Sequence, residues 1–152
     1  NIVLLDDEEA KPKWKRNDTG WWYEYPDGSY PKEEWEKIDG IWYYFDERGY
    51  SIASRWLKDD GKWYYLKENG AMAVGWVLVN GKWYYLDASG AMVTGWVQYK
   101  DKLYHLKEEN GAMSSEELVK VEGGWYYVNE DGSRSDKPAL DVLPDGLIVT
   151  TK

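Results

Sequence analysis

The sequence contains no cysteine, one phenylalanine and one histidine among 152 residues. Without cysteine there is no disulfide framework, no thiolate nucleophile and no thiolate metal ligand. A single histidine cannot make a metal centre, which needs several converging ligands, so no metal and no cofactor is expected. No apolar run approaches the roughly 20 residues of a membrane-spanning helix, and no secretory leader pattern opens the sequence. A soluble chain is therefore expected, with any export specified outside these residues. Positive charge is scarce: 19 Lys and Arg against 28 Asp and Glu leave a net charge of −9. Such a surface repels phosphate backbones, which excludes nucleic acid as a partner and favours a cationic ligand.

What the chain has in abundance is amphipathic rings, 11 Trp and 14 Tyr, and they are periodic. Large apolar residues recur at Trp14, Trp35, Trp56, Trp76, Trp96 and Leu118, with steps of 21, 21, 20, 20 and 22 residues. Seven residues after each stands Trp21, Trp42, Trp63, Trp83, Leu103 or Trp125, and a glycine follows at Gly28, Gly49, Gly70, Gly90, Gly111 or Gly132. Self-similarity at this period is the signature of a repeat architecture. Six units are expected over residues 14–133, preceded by an acidic linker (1–13) and followed by a cap (134–152), whose Pro-Asp-Gly predicts one last turn and a closing strand.

Within a unit the pattern predicts a hairpin. In "WVLVNGKWYY" the Asn80-Gly81 pair supplies the positive φ angles of a type I′ turn. That turn sets Val79 against Lys82, Leu78 against Trp83, Val77 against Tyr84 and Trp76 against Tyr85. Opposed residues and alternate residues share a face, so Trp76, Leu78, Trp83 and Tyr85 project from one side and Tyr84 from the other. Turns at Asp39-Gly40 and Asp60-Gly61 give the same count for Trp35, Trp42 and Tyr44 and for Trp56, Trp63 and Tyr65. An isolated hairpin is marginal in water, so the units must stack, and the expected fold is an all-β solenoid of hairpins. The rings at each junction are then either the packing between repeats or the walls of a pocket. Trp and Tyr bring polar atoms that Leu, Ile or Val would not, and converging ring faces attract a quaternary ammonium such as choline.

Catalysis has no support in the sequence. The carboxylates fall at turns (Asp39, Asp60, Asp131) or in solvated runs such as "SEEL". Neither a nucleophile elbow nor a glycine-rich phosphate loop occurs.

The repeat "GW…GKWYYL…GAMVTGW", together with "EKIDGIWYYFD", "GAMVTGWVQYKD" and "PDGLIVTTK", resembles the choline-binding repeat family of pneumococcal surface proteins, autolysin amidases and phage lysozymes. The resemblance covers nearly the whole chain. It implies a left-handed hairpin superhelix with choline held between units by two Trp of one repeat and a Tyr of the next, often beside a Met. Residue by residue, it implies cages of Trp35, Trp42 and Tyr65, of Trp56, Trp63 and Tyr85 with Met72 nearby, and of Trp14, Trp21 and Tyr44. The doubled Trp21-Trp22 leaves open which ring fills the first wall. Downstream the pattern departs: His105 stands where a Tyr would meet Trp76 and Trp83, and Leu103 where a Trp would join Trp96, leaving weaker positions that include Met92 and Tyr127. His105, if it lines a cage, would repel choline when protonated. The implied target is phosphocholine on teichoic acids of the bacterial cell wall, with a possible homodimer in the presence of choline. The catalytic muramidase of the resembled lysozymes is a separate domain without a counterpart here, so a binding module and not an enzyme is expected. The alternatives are a glucan-binding aromatic repeat and an engineered repeat scaffold.

Overall fold

In the computed structural model the described residues are 11–121, 123–136 and 140–150. They form seven antiparallel two-stranded sheets, each from consecutive strands. The chain divides into two units, Asn1–Ala73 and Val74–Lys152. The first holds the hairpins β1 (Lys13–Arg16) with β2 (Trp21–Glu24), β3 (Glu34–Ile38) with β4 (Ile41–Phe45), and β5 (Arg55–Asp59) with β6 (Lys62–Leu66). The second holds β7 (Gly75–Val79) with β8 (Lys82–Leu86), β9 (Gly95–Tyr99) with β10 (Lys102–Leu106), β11 (Glu117–Val121) with β12 (Gly124–Val128), and β13 (Leu140–Val142) with β14 (Ile148–Thr150). Of the acidic linker, residues 1–10 lie outside the described residues.

The register is the one the turns dictate. Asn80 and Gly81 have φ of 49° and 80°, and Trp76 faces Tyr85 while Leu78 faces Trp83. The same positive pair recurs at Asp39-Gly40 and Asp60-Gly61. In β9–β10 it falls on Lys100 and Asp101 (φ 47° and 64°), so here two non-glycine residues hold a conformation that costs them energy. At the C-terminal end, Leu140 pairs with Thr150 and Val142 with Ile148, the closing hairpin expected around Pro144-Asp145-Gly146.

Backbone amides stitch successive hairpins together within each unit. After β4, Ser51 N donates to Trp21 O of the preceding hairpin (2.7 Å), and the next amide, Ile52 N, donates to Tyr44 O of its own (3.0 Å). Met72 N and Ala73 N repeat the arrangement on Trp42 O and Tyr65 O. In the second unit Met113 N reaches Trp83 O (2.8 Å) and Arg134 N reaches Leu103 O (2.7 Å). One short segment thus satisfies carbonyls on two hairpins that would otherwise be sheet edges.

The hydrophobic core is mostly aliphatic, with the rings of Phe45 and Tyr127. Phe45, Leu66, Leu86, Leu106 and Val128, the last residue of each second strand from β4 to β12, are fully buried. Small alanines on the return segments, Ala71, Ala73, Ala91 and Ala112, are buried as well. The tryptophans of the second strands are not part of it: Trp21, Trp42, Trp83 and Trp125 are 47%, 40%, 42% and 49% exposed. Packing between repeats therefore does not account for these exposed indoles.

Candidate functional site

Three hairpins place a pair of tryptophans at right angles. Trp14 and Trp21 lie 6.4 Å apart at 85°, Trp35 and Trp42 6.5 Å at 88°, and Trp76 and Trp83 6.5 Å at 86°. Two such faces make a corner rather than a flat platform. A third ring from the next hairpin closes it: Tyr43 against Trp14 (4.9 Å), Tyr64 against Trp35 (5.2 Å) and Tyr104 against Trp76 (5.3 Å).

These third rings stand one residue earlier than expected. Tyr44, Tyr65 and Tyr85 instead pack on Trp35, Trp56 and Trp76 of their own hairpins, at 5.3, 5.0 and 5.0 Å. The reason is the pleat. Tyr44 shares a face with Trp35 and Trp42 of its own hairpin, whereas its neighbour Tyr43 points back to Trp14 of the preceding one. The same alternation removes His105 from the fourth junction, where Tyr104 takes the place expected for it. Likewise Tyr126, and not Tyr127, meets Trp96 (5.5 Å), while Tyr127 is buried opposite Leu118. The signal was in the sequence, since the first and second Tyr of each "WYY" must face opposite ways.

The return segments bring a further residue to these junctions through backbone bonds. Met72 N donates to Trp42 O, which ties this residue's backbone to the hairpin of Trp35 and Trp42. Met113 N makes the same bond to Trp83 O, and the fourth junction has all three rings, Trp76, Trp83 and Tyr104. At the first junction this position is Ser51, and a cavity of about 420 Å3 opens there, lined by Trp14, Trp21, Tyr43, Ser51 and the Glu68-Asn69 turn. Trp21 fills that wall, because Trp22 turns away to pack on Tyr50 (6.2 Å) and to donate from Nε1 to Glu24. Trp56 and Trp63 stand on the third hairpin, in the first unit, and Tyr85 in the second. Met92 bridges to Leu86 in its own repeat and lies beneath Gly111, where a Cβ would collide with its sulfur. Trp96 has Leu103 rather than a second indole on its hairpin.

Acidic groups surround the cages of the first unit. Asp59 Oδ2 accepts a hydrogen bond from Trp35 Nε1 (3.0 Å), which fixes that indole and sets a negative charge at its edge. Burial, and then the charges of Asp59, Glu33 and Asp46, hold the Tyr44 hydroxyl above its ordinary pKa. Burial, followed by Asp39 and Glu36, does the same to Tyr23, and Tyr25 is pushed up to about 12 by burial and its hydrogen bond to Glu36. Burial is the larger cause of each shift; the lesser contribution of the carboxylates is the part that also favours a cation. Lysines opposite the exposed indoles, Lys37 over Trp42 (6.0 Å) and Lys58 over Trp63 (5.8 Å), already use these ring faces for cation-π contacts. His105 Nδ1 lies 3.1 Å from Ser114 Oγ, and its ring is 5.1 Å from Trp96. Burial lowers its pKa, against the opposing pull of Glu108, Glu109 and Glu117. Among the described residues no group of three or more His, Cys, Asp or Glu is placed to hold a metal.

Comparison with known proteins agrees with the repeat pattern. The model of the choline-binding repeat matches residues 33–75 and 73–118, and that of a putative cell wall binding repeat matches 117–133. The lysozyme of Streptococcus phage Cp-1 is 61% identical over 97% of this chain and 45% of its own length. That of Streptococcus phage Cp-9 is 60% identical over the same shares, so the chain spans less than half the length of these curated relatives. Among solved structures, the pneumococcal cell wall endolysin from phage Cp-1 complexed with choline aligns with a TM-score of 0.64 at 51% identity, over 96% of this chain and 44% of that one. Choline binding protein F of Streptococcus pneumoniae aligns with a TM-score of 0.73 at 36% identity, over 90% and 47%. With matched repeats over more than half its length and a ring corner recurring at the repeat period, the chain belongs to the choline-binding repeat family.

Proposed function

We propose that this chain is a non-catalytic wall-binding module that holds the choline of teichoic acids in the cages between its hairpins and so brings a lysin to the pneumococcal wall. The observation that carries the reading is the half-exposed right-angled Trp pair closed by a Tyr of the next repeat, seen at Trp14-Trp21-Tyr43, Trp35-Trp42-Tyr64 and Trp76-Trp83-Tyr104. A trimethylammonium group presents methyls in all directions, and a three-sided corner meets it with several electron-rich faces at once. Each face contributes about 0.5 to 2 kcal/mol. Sugars stack on coplanar rings, and right-angled pairs do not offer that platform, which speaks against a glucan-binding module.

One cage is worth about −4 kcal/mol, a millimolar affinity. A polymer that repeats choline can engage several cages, and the effective concentration of the second event multiplies the first. The acidic residues beside the rings favour the ammonium and disfavour the phosphate next to it, so the headgroup enters nitrogen first. The same reading makes residues 134–152 a contact between two copies when choline is present, which sedimentation with and without choline would test.

The deciding experiment is a choline titration followed by Trp fluorescence and calorimetry. Saturation at millimolar choline, competition of wall binding by free choline but not by dextran, and fewer or weaker sites in Trp42→Ala are the expected results. An unresponsive parent would overturn the reading.

A further inference from the structure

The fifth junction departs from the others at two positions at once. Leu103 stands where an indole is found in the first four repeats, and Arg134 stands where Met72 and Met113 are found. The two changes meet in space. Arg134 N donates to Leu103 O (2.7 Å), the bond that Met113 N makes to Trp83 O (2.8 Å), so Arg134 leaves the backbone at the position equivalent to Met113. Its guanidinium carbon lies 5.3 Å from the centroid of Trp96 and 4.9 Å from that of Tyr126. Those two rings are 5.5 Å apart at 82°, the same corner that Trp76 and Tyr104 form at 5.3 Å and 72°. A cation belonging to the protein already sits on both ring faces of this corner.

We propose that the fifth junction is a cage closed by its own cation: the Arg134 guanidinium occupies the Trp96-Tyr126 corner and excludes choline from it, so that the run of ligand sites in the second unit stops at the fourth junction. This rests on the reading of the other junctions as choline cages. The chemistry favours an arginine in the role. A guanidinium is charged at every relevant pH, is weakly hydrated, and lies flat on a ring, so it satisfies two faces without the third that Leu103 fails to supply. It is also tethered, and a tethered cation competes at an effective concentration that millimolar free choline does not match. A cavity of about 410 Å3 borders Leu103, Arg134 and Asp136, room for the indole that Leu103 replaces. The corner thereby becomes a structural contact joining β9, β12 and the segment after β12.

The test assigns the indole N–H resonances of the full chain and follows each through a choline titration, with site number from calorimetry. In the parent, Trp83 is expected to shift and Trp96 to stay still. In Arg134→Met, and more strongly in the double variant Leu103→Trp/Arg134→Met, Trp96 is expected to shift and the number of sites to rise by one. A parent in which Trp96 shifts with the same midpoint as Trp83 overturns the proposal, as does a folded double variant with no added site. If the variants fail to fold, the parent's indole map still decides, by whether Trp96 shifts or stays still while Trp83 responds. A parent in which no indole responds refutes the choline reading itself, and the proposal with it, and that outcome is distinct from all the others.

Discussion

Asp59 shows how one side chain can tune a cage it does not line with a ring. By accepting from Trp35 Nε1 at 3.0 Å it restricts that indole and adds a negative charge beside the corner where the proposed cation would sit. Asp59→Ala is expected to weaken choline at the second junction, and Asp59→Asn, which keeps an acceptor but loses the charge, to weaken it less; titration of the Trp42 indole resonance separates the two. Trp42→Ala removes one face of the same cage and should weaken that site roughly 5-fold, the equivalent of about 1 kcal/mol. His105 acts on stability instead. Its folded pKa lies below the ordinary 6.5 because its ring is partly buried, so above that value folded and unfolded chains are both neutral and nothing is lost. As pH falls below 6.5 the unfolded chain binds the proton first, and stability declines until the folded ring also protonates. The drop in Tm between pH 7.5 and pH 5.5 should therefore be smaller in His105→Gln than in the parent. Choline affinity at Trp76 and Trp83 should show no such dependence on residue 105, because Tyr104 is the ring that meets them.

At the scale of the hairpin, turn chemistry and the last residue of the second strand decide stability. Lys100 and Asp101 hold positive φ where the other type I′ turns end in glycine. Asp101→Gly relieves the second of these and should stabilise the protein by about 0.5 to 1 kcal/mol, the relief of strain exceeding the entropy that glycine adds to the unfolded chain. Chemical denaturation measures it. Leu66, which no solvent reaches, closes β6 at the foot of its hairpin. Leu66→Ala should cost about 2 to 5 kcal/mol through lost burial and the cavity left behind. Glycine at the repeat turn has a second duty besides its positive φ. A Cβ on Gly132 would strike the Met113 sulfur, so Gly132→Ala both strains the turn and displaces the Met113 side chain.

For the whole molecule the relevant quantity is the number of cages that can act together. On a surface that displays choline densely, loss of one cage should reduce retention by more than its effect on free choline, because an intramolecular binding event is removed. On a sparse surface, Trp42→Ala and the parent should differ only as they do for the free ligand. Retention at two choline densities distinguishes these cases. The net charge of −9 adds a preference for cations that salt will screen, while the ring contacts remain. The sequence by itself determined the repeat, the turn positions, the hairpin register and the identity of the paired tryptophans. All of these follow from local rules: glycine and asparagine at positive φ, a side-chain period of two, and a fixed step between like residues. It also held the alternation that sends Tyr64 and Tyr65 to opposite faces, although assigning the third wall required knowing which face of one hairpin meets the next. What only the tertiary structure decided is what lies across each junction: that Phe45, Leu66, Leu86, Leu106 and Val128 carry the core and leave the indoles half in water, that the Met72 backbone is tied to the hairpin of Trp35 and Trp42, and that Arg134 fills the corner of Trp96 and Tyr126. Those pairings join residues on separate hairpins, about 20 to 40 positions apart. They depend on how the return segment rotates one hairpin onto another, a geometry set by long-range backbone hydrogen bonds that no local pattern encodes.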